Sequence, residues 1–276
     1  MRCRGRSAAP AAVSARRSPR LARVSAARDE ILAFLDAELE THRYRDYAPI
    51  GMQVIGAERV ERVACAVSST LEVFDRAAVE GAQLLLVHHG MFWDNEPRAI
   101  GTHMKRRLER LFASGITLAA YHLPLDGHQR IGNNARLAEE LRLRVDGWFS
   151  EHGGIPLAVH GTLAAAVPLQ VLAERVSEIV GRVPIAFPGG PERVRTLAIC
   201  SGRPGGIALE AAAVGADALL TGEPQEDFRA LAQELGMSIV CAGHHATETL
   251  GVRAAGDLVA AHFGIEHVFL DVPNPV

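Results

Sequence analysis

The chain has 276 residues, 48% hydrophobic and 22% charged, which excludes a mainly disordered or collagenous chain. No apolar stretch approaches the roughly 18 residues a membrane-spanning helix needs. Its four cysteines are scattered without a CxxC pair, which argues against a disulfide framework or zinc knuckle and fits the cytoplasm.

Residues 1–28 hold eight arginines and no acid. They lack the apolar core of a secretory signal and formally resemble an organelle transit peptide. Against 28 arginines the whole chain has one lysine, Lys105, so this richness reads as codon usage. Residues 1–27 are expected to be a disordered tail outside the fold. With a net charge of −3 overall, the remaining 248 residues carry −11, and so acidic a body makes a nucleic-acid partner improbable on charge grounds.

In chain order, DEILAFLDAELE (29–40) has helical apolar spacing, VERVACAVS (60–68) reads as a buried strand, and 70–80 as a helix with Gly81 past its end. LLLV (84–87) is a second buried strand, so a parallel sheet is predicted. Residues 148–194 join two halves and add strands such as LAVHGTL (157–163). RTLAICSG (195–202), a helix at 206–214 and GADALLTGE (215–223) repeat the earlier series, the last answering GAQLLLVHH (81–89). GMSIVCAGHHATE (236–248) likewise answers GITLAAYHLPLD (115–126). The expected fold is therefore α/β: two similar halves from an internal duplication, facing each other across a cleft.

Three histidine-bearing segments each follow an apolar strand, the end at which open α/β sheets bind ligands. His88 and His89 follow LLLV; adjacent side chains in extended backbone diverge, which suits two neighbouring ions or a turn that redirects one ring. His122 and Asp126 flank Pro124, which predicts a shaped loop in place of a regular helix; the alternative is that Asp126 caps the helix near Asn133 or Asn134. His244 and Glu248 stand at i and i+4 and share one face if residues from Ala246 onward are helical. The alternative there is Glu248 as a first-turn acid. Imidazole and carboxylate together suit Zn, Fe, Mn, Co or Ni in preference to Ca. Five or six such groups exceed one tetrahedral site, so two ions per chain are implied.

VHHGMFW (87–93), HLPLD (122–126), GNNARLAEEL (132–141), AGHHATE (242–248) and DVPNP (271–275) resemble the dinuclear-metal-centre proteins of the YbgI type. These are related to the NGG-interacting-factor-three proteins and named GTP cyclohydrolase 1 type 2 homologues. YRDYAPIGMQV (44–54) also matches, with Ile50-Gly51 where Pro or Asn before Gly is usual. The likeness covers residues 29–276 and has no large insertion, as in the short bacterial form. It implies His88 and His89 as ligands, one per ion, with Asp126 and His244 as further ligands and Glu248 bridging both ions. His122 and His245 are implied to lie near the ions, where either would move protons in catalysis. It also implies a ring-shaped homohexamer, and a first half of residues 28–130 plus about 250–276 against a second half of 131–249.

Two functions follow as expectations. One is a metal-dependent hydrolase acting on a small molecule such as a nucleotide, with opening of the guanine imidazole ring of GTP as the activity the likeness implies. The other is a non-catalytic metal-binding or metal-handling protein. No P-loop is present, so a triphosphate must recruit arginines such as Arg130 or Arg203, and RPGG (203–206) reads as a turn.

Overall fold

The computed structural model describes residues 24–203 and 205–276. The expectation for residues 1–23 lies outside that range. Residues 26–27, counted with the tail, are ordered: β1 (Ala26–Ala27) pairs antiparallel with β3 (Arg59–Val60), and Ala26 is buried. Ala26 belongs to the buried apolar cluster that also holds Ile31, Leu35 and Val60.

Helix α1 (Arg28–Glu38) buries Ile31, Leu32 and Leu35, the stripe that the apolar spacing predicts. The first sheet has the order β13-β4-β5-β6-β2, with β2 (Gly51–Val54), β4 (Arg62–Ser68), β5 (Leu84–His89), β6 (Thr117–Ala120) and β13 (Glu266–Phe269). Helices α2 (Leu71–Val79) and α3 (Thr102–Ser114) cross between its parallel strands. Thr70 caps α2 by accepting from the Val73 amide at 3.2 Å.

Short helix α4 (Leu123–Gly127) follows β6, and α5 (Asn133–Glu140) leads to the hairpin of β7 (Arg144–His152) and β8 (Ile155–Pro168). The second sheet has the order β7-β8-β10-β11-β12-β9. It comprises that hairpin with β9 (Ile185–Phe187), β10 (Arg193–Cys200), β11 (Ala218–Thr221) and β12 (Ser238–Cys241), flanked by α6 (Leu169–Val180), α7 (Ile207–Ala213) and α8 (Phe228–Leu235). The chain ends through α9 (His244–Thr247), α10 (Thr249–Phe263) and β13. Both sheets bury both faces, which is why their parallel strands are continuous apolar runs without alternation.

The succession α1–β2–β4–α2–β5–α3–β6 recurs as α6–β9–β10–α7–β11–α8–β12. β2 pairs antiparallel with β6 as β9 does with β12, while the short β3, which pairs with β1, has no counterpart in the second series. The registers match as well: the row Val63–Leu84–Thr117 corresponds to Leu197–Ala218–Ser238. Counting four residues on places His88 and Gly222 at equivalent strand ends. The fold is α/β, with two sheets of like connectivity. Among the described residues, no helix is long and apolar enough to cross a membrane, and Cys65, Cys200 and Cys241 are free thiols.

Two local expectations need correction. Residues 123–127 form α4 where a loop was expected, because Pro124 falls in the first turn, where its missing N–H breaks no helical hydrogen bond. The helix expected from Ala246 onward is divided: α9 stops at Thr247, α10 starts at Thr249, and Glu248 lies between them with φ −110°.

Candidate metal centre

The carboxyl ends of the parallel strands of both sheets meet at one place. β5 ends in His88 and His89, and Gln53 on β2 shapes the turn beyond by accepting from the Met91 amide at 2.7 Å. His122 and Asp126 come from the turn and helix after β6; His244 and Glu248 come from those after β12. Of these, His122, Asp126, His244 and Glu248 border a cleft of about 380 Å³ that is also lined by Tyr47, Ser201 and Arg203.

Glu248, only 3% exposed, is the centre of the group. Its Oε1 lies 3.4 Å from His88 Nε2 and 3.1 Å from His244 Nε2, and its Oε2 lies 3.2 Å from His89 Nε2. His88 Nε2 is also 3.6 Å from Asp126 Oδ1. Although neighbours on a strand, the two imidazoles tilt together with ring centres 4.7 Å apart, and the carboxylate straddles them. Two triads of donor atoms result, His88–Asp126–Glu248 and His89–His244–Glu248, with His122 forming a third group with His88 and His89.

Each imidazole is held from behind through Nδ1. The partners are the Tyr121 carbonyl for His88 (3.2 Å), Ser68 Oγ for His89 (3.3 Å), Asp46 Oδ1 for His122 (2.8 Å) and Glu223 Oε1 for His244 (2.6 Å). Outer partners of this kind fix ring orientation and basicity in metal sites. Asp126 is held in turn by Asn133 Nδ2 at 2.9 Å and Ser201 Oγ at 3.3 Å. His88 Nε2 and Glu248 Oε2 are fully buried without a hydrogen-bond partner. Such orphaned atoms are rare in folded proteins, and these two fit ligands of a cation.

The electrostatics match that donor set. Burial alone lowers the pKa of His88, but the carboxylates of Asp126 and Glu248 outweigh it and raise the imidazole to about 9. His244 is also raised to about 9, since Glu248 and Glu223 outweigh its burial. His89 falls to about 3, because burial and the surrounding imidazoles exceed the pull of Glu248. Burial pushes Asp126 up, whereas His89 and His88 hold Glu248 well below the carboxylate range despite its burial.

The structure does not bring His245 into this group. One residue along α9 turns it away from the cleft, and its Nε2 lies 3.5 Å from Asp271 Oδ1. Arg130 is outside as well, paired with Glu38, while Arg203 reaches the cleft and lies 3.9 Å from Glu223 Oε2.

Glu223, Asp46 and Gly202 also shape the site, and Asn133 does so by holding Asp126. The pairing of 81–89 with 215–223 places Glu223 opposite His89, which is its signal in the sequence. Gly202 has φ +67°, and a Cβ there would stand 2.3 Å from Glu248 Oε1, a requirement for no side chain that no spacing reveals.

Residues 26–275 match the family model for Duf34/NIF3 (NGG1p interacting factor 3). The chain belongs to this family. A Pseudomonas aeruginosa relative named "GTP cyclohydrolase 1 type 2 homolog" is 40% identical over 240 residues, 87% of this chain and 95% of the relative. Among solved structures, protein ybgI, whose function its title gives as unknown, is 36% identical with a TM-score of 0.86, covering 91% of this chain and 100% of the other. TTHA1606 from Thermus thermophilus is 38% identical with a TM-score of 0.82, again covering 91% and 100%. The likeness to these structures agrees with the α/β fold, and the His/Asp/Glu cluster of this chain has the donor atoms to hold a metal ion.

Proposed function

We propose that this Duf34/NIF3 chain holds two divalent ions and acts as a metal-dependent hydrolase. The observation that carries the reading is the pair of donor triads sharing Glu248. His88 and Asp126 would hold one ion, His89 and His244 the other, and Glu248 both. Bound there, the ions supply Lewis acidity toward an electrophile and toward water. Around them the chain's own groups do defined work. Glu248 and Asp126 offset the cations' charge, Asn133 and Ser201 fix Asp126, and Glu223 fixes His244. His122 lines the cleft and has one ring nitrogen held, so it is the group placed to carry a proton. The relative's name motivates a GTP-cyclohydrolase-like reaction on a nucleotide, and the earlier resemblance motivates a homohexamer.

One observation favours the non-catalytic reading. The cleft is lined by Asp126, Glu151, Glu210 and Glu248 against a single arginine, Arg203, so the protein itself offers a triphosphate little positive charge. Metal analysis of the purified protein, with an activity screen on nucleotides and phosphoesters, separates the two. Near two ions per chain with turnover supports the hydrolase. Two ions and no turnover supports metal binding alone, and no metal removes both. Light scattering after size exclusion tests the hexamer.

A further inference from the structure

Beyond the metal donors, we infer that Asp46 is a positioning residue: it holds His122 as the tautomer protonated at Nδ1 and leaves Nε2 as the nitrogen with a free lone pair. The Asp46 side chain is 1% exposed and lies on the loop before β2. Three N–H donors converge on it. Tyr47 N reaches Oδ1 at 2.7 Å, His122 Nδ1 reaches Oδ1 at 2.8 Å, and Leu123 N reaches Oδ2 at 2.8 Å. An ionised carboxylate is an acceptor only, so the hydrogen between Asp46 and His122 belongs to Nδ1. A neutral imidazole has one N–H, and Nε2 is therefore the acceptor.

The ring has little freedom to turn. Trp93 meets it edge-on at 5.1 Å between ring centres and 84°, and the His88 ring lies 5.0 Å away. The loop bearing Asp46 is fixed from the other sheet. His152, at the end of β7, has Nε2 3.0 Å from the Arg45 carbonyl and Nδ1 3.1 Å from the Tyr47 hydroxyl. The carbonyl only accepts, so Nε2 donates to it and Nδ1 accepts from Tyr47. The Tyr47 carbonyl also accepts from Asp94 N at 2.9 Å. A residue of the second sheet thus pins the loop that sets a histidine of the first.

The consequence for catalysis rests on the hydrolase reading: a neutral His122 accepts a proton at Nε2 only while Asp46 keeps the hydrogen on Nδ1. The tautomer itself is independent of turnover. The test is a long-range ¹H–¹⁵N correlation spectrum of the full chain labelled at histidine, with zinc and without, His122 being assigned by His122→Gln. In the wild type His122 should be protonated at Nδ1. Asp46→Ala should release it and bring up the Nε2–H form. Asp46→Asn should retain Nδ1–H, because the amide oxygen can take the Oδ1 position, which receives two of the three donors. A wild type protonated at Nε2, or an Asp46→Ala spectrum that still shows only Nδ1–H, overturns the inference. If Asp46→Ala does not fold, the wild type and Asp46→Asn decide it: the first must show Nδ1–H and the second must keep it. Where a substrate is turned over, Asp46→Ala should lower kcat about 10–100-fold and leave KM nearly unchanged, with Asp46→Asn closer to wild type. Absence of turnover with the expected tautomers removes the hydrolase reading and leaves the role of Asp46 standing.

Discussion

Among the described residues, Glu248 is the one carboxylate that reaches three imidazoles, so its replacement separates bridging from ordinary ligation. Glu248→Gln keeps the shape and removes the charge facing both donor triads. It should lower total metal content well below that of His88→Ala, which is expected to lose mainly one ion. Metal-to-protein ratios measure this, and an unchanged ratio in Glu248→Gln would refute the bridge. Gly202→Ala tests the space beside it. The left-handed backbone alone should destabilise by about 1–2 kcal/mol in urea unfolding, and the new methyl group should displace Glu248 and weaken metal uptake. The raised histidines set the pH behaviour. With folded-state values of about 9 against 6.5, His88 and His244 stabilise the metal-free protein fully below pH 6.5, and that contribution is lost as pH rises through 9. Metal binding needs the same nitrogens deprotonated, so uptake at pH 7 should release protons and apparent affinity should climb toward pH 9. Calorimetry in buffers of different ionisation enthalpy reads the release; an affinity flat from pH 7 to 9 contradicts it.

Helix α5 does more than its length suggests. Asn133 is wholly buried, donating to Asp126 and accepting from Gly251 N at 3.0 Å. Asn134 accepts from Ser201 N at 2.7 Å and donates to the Leu157 carbonyl at 2.8 Å. Two side chains in one helical turn thus tie α4, β8, the end of β10 and α10 together. Asn134→Ala leaves Ser201 N and the Leu157 carbonyl without these partners, and about 1–3 kcal/mol should be lost for each group left unsatisfied, measured by denaturant unfolding. The long apolar strands were legible because burial on both faces leaves an unbroken hydrophobic run. The α9–α10 break was not, since residues 244–263 contain no proline and the interruption is a matter of where Glu248 must point.

At the scale of the molecule, the donors come from both sheets: His88, His89 and Asp126 from the first, His244 and Glu248 from the second. An ion held by either triad would join the two halves and bind only the folded state. Each ion at a hundredfold excess over its Kd should therefore add about 2.7 kcal/mol to stability. A chelator should lower Tm in differential scanning calorimetry, and zinc should restore it. Equal Tm values with and without chelator would show that the cluster carries no folding energy from metal.

What the sequence determined by itself is the local grammar. It set the apolar strands, the histidines and carboxylates that follow them, and the pairing of 81–89 with 215–223, because these are one-dimensional patterns of burial and spacing. What only the tertiary structure decided is convergence. Whether His88 and His89 share a carboxylate, whether His245 faces the cleft, and whether Asp46 reaches His122 across 76 positions depend on how two sheets meet, and contacts between distant segments leave no periodic trace in a single chain.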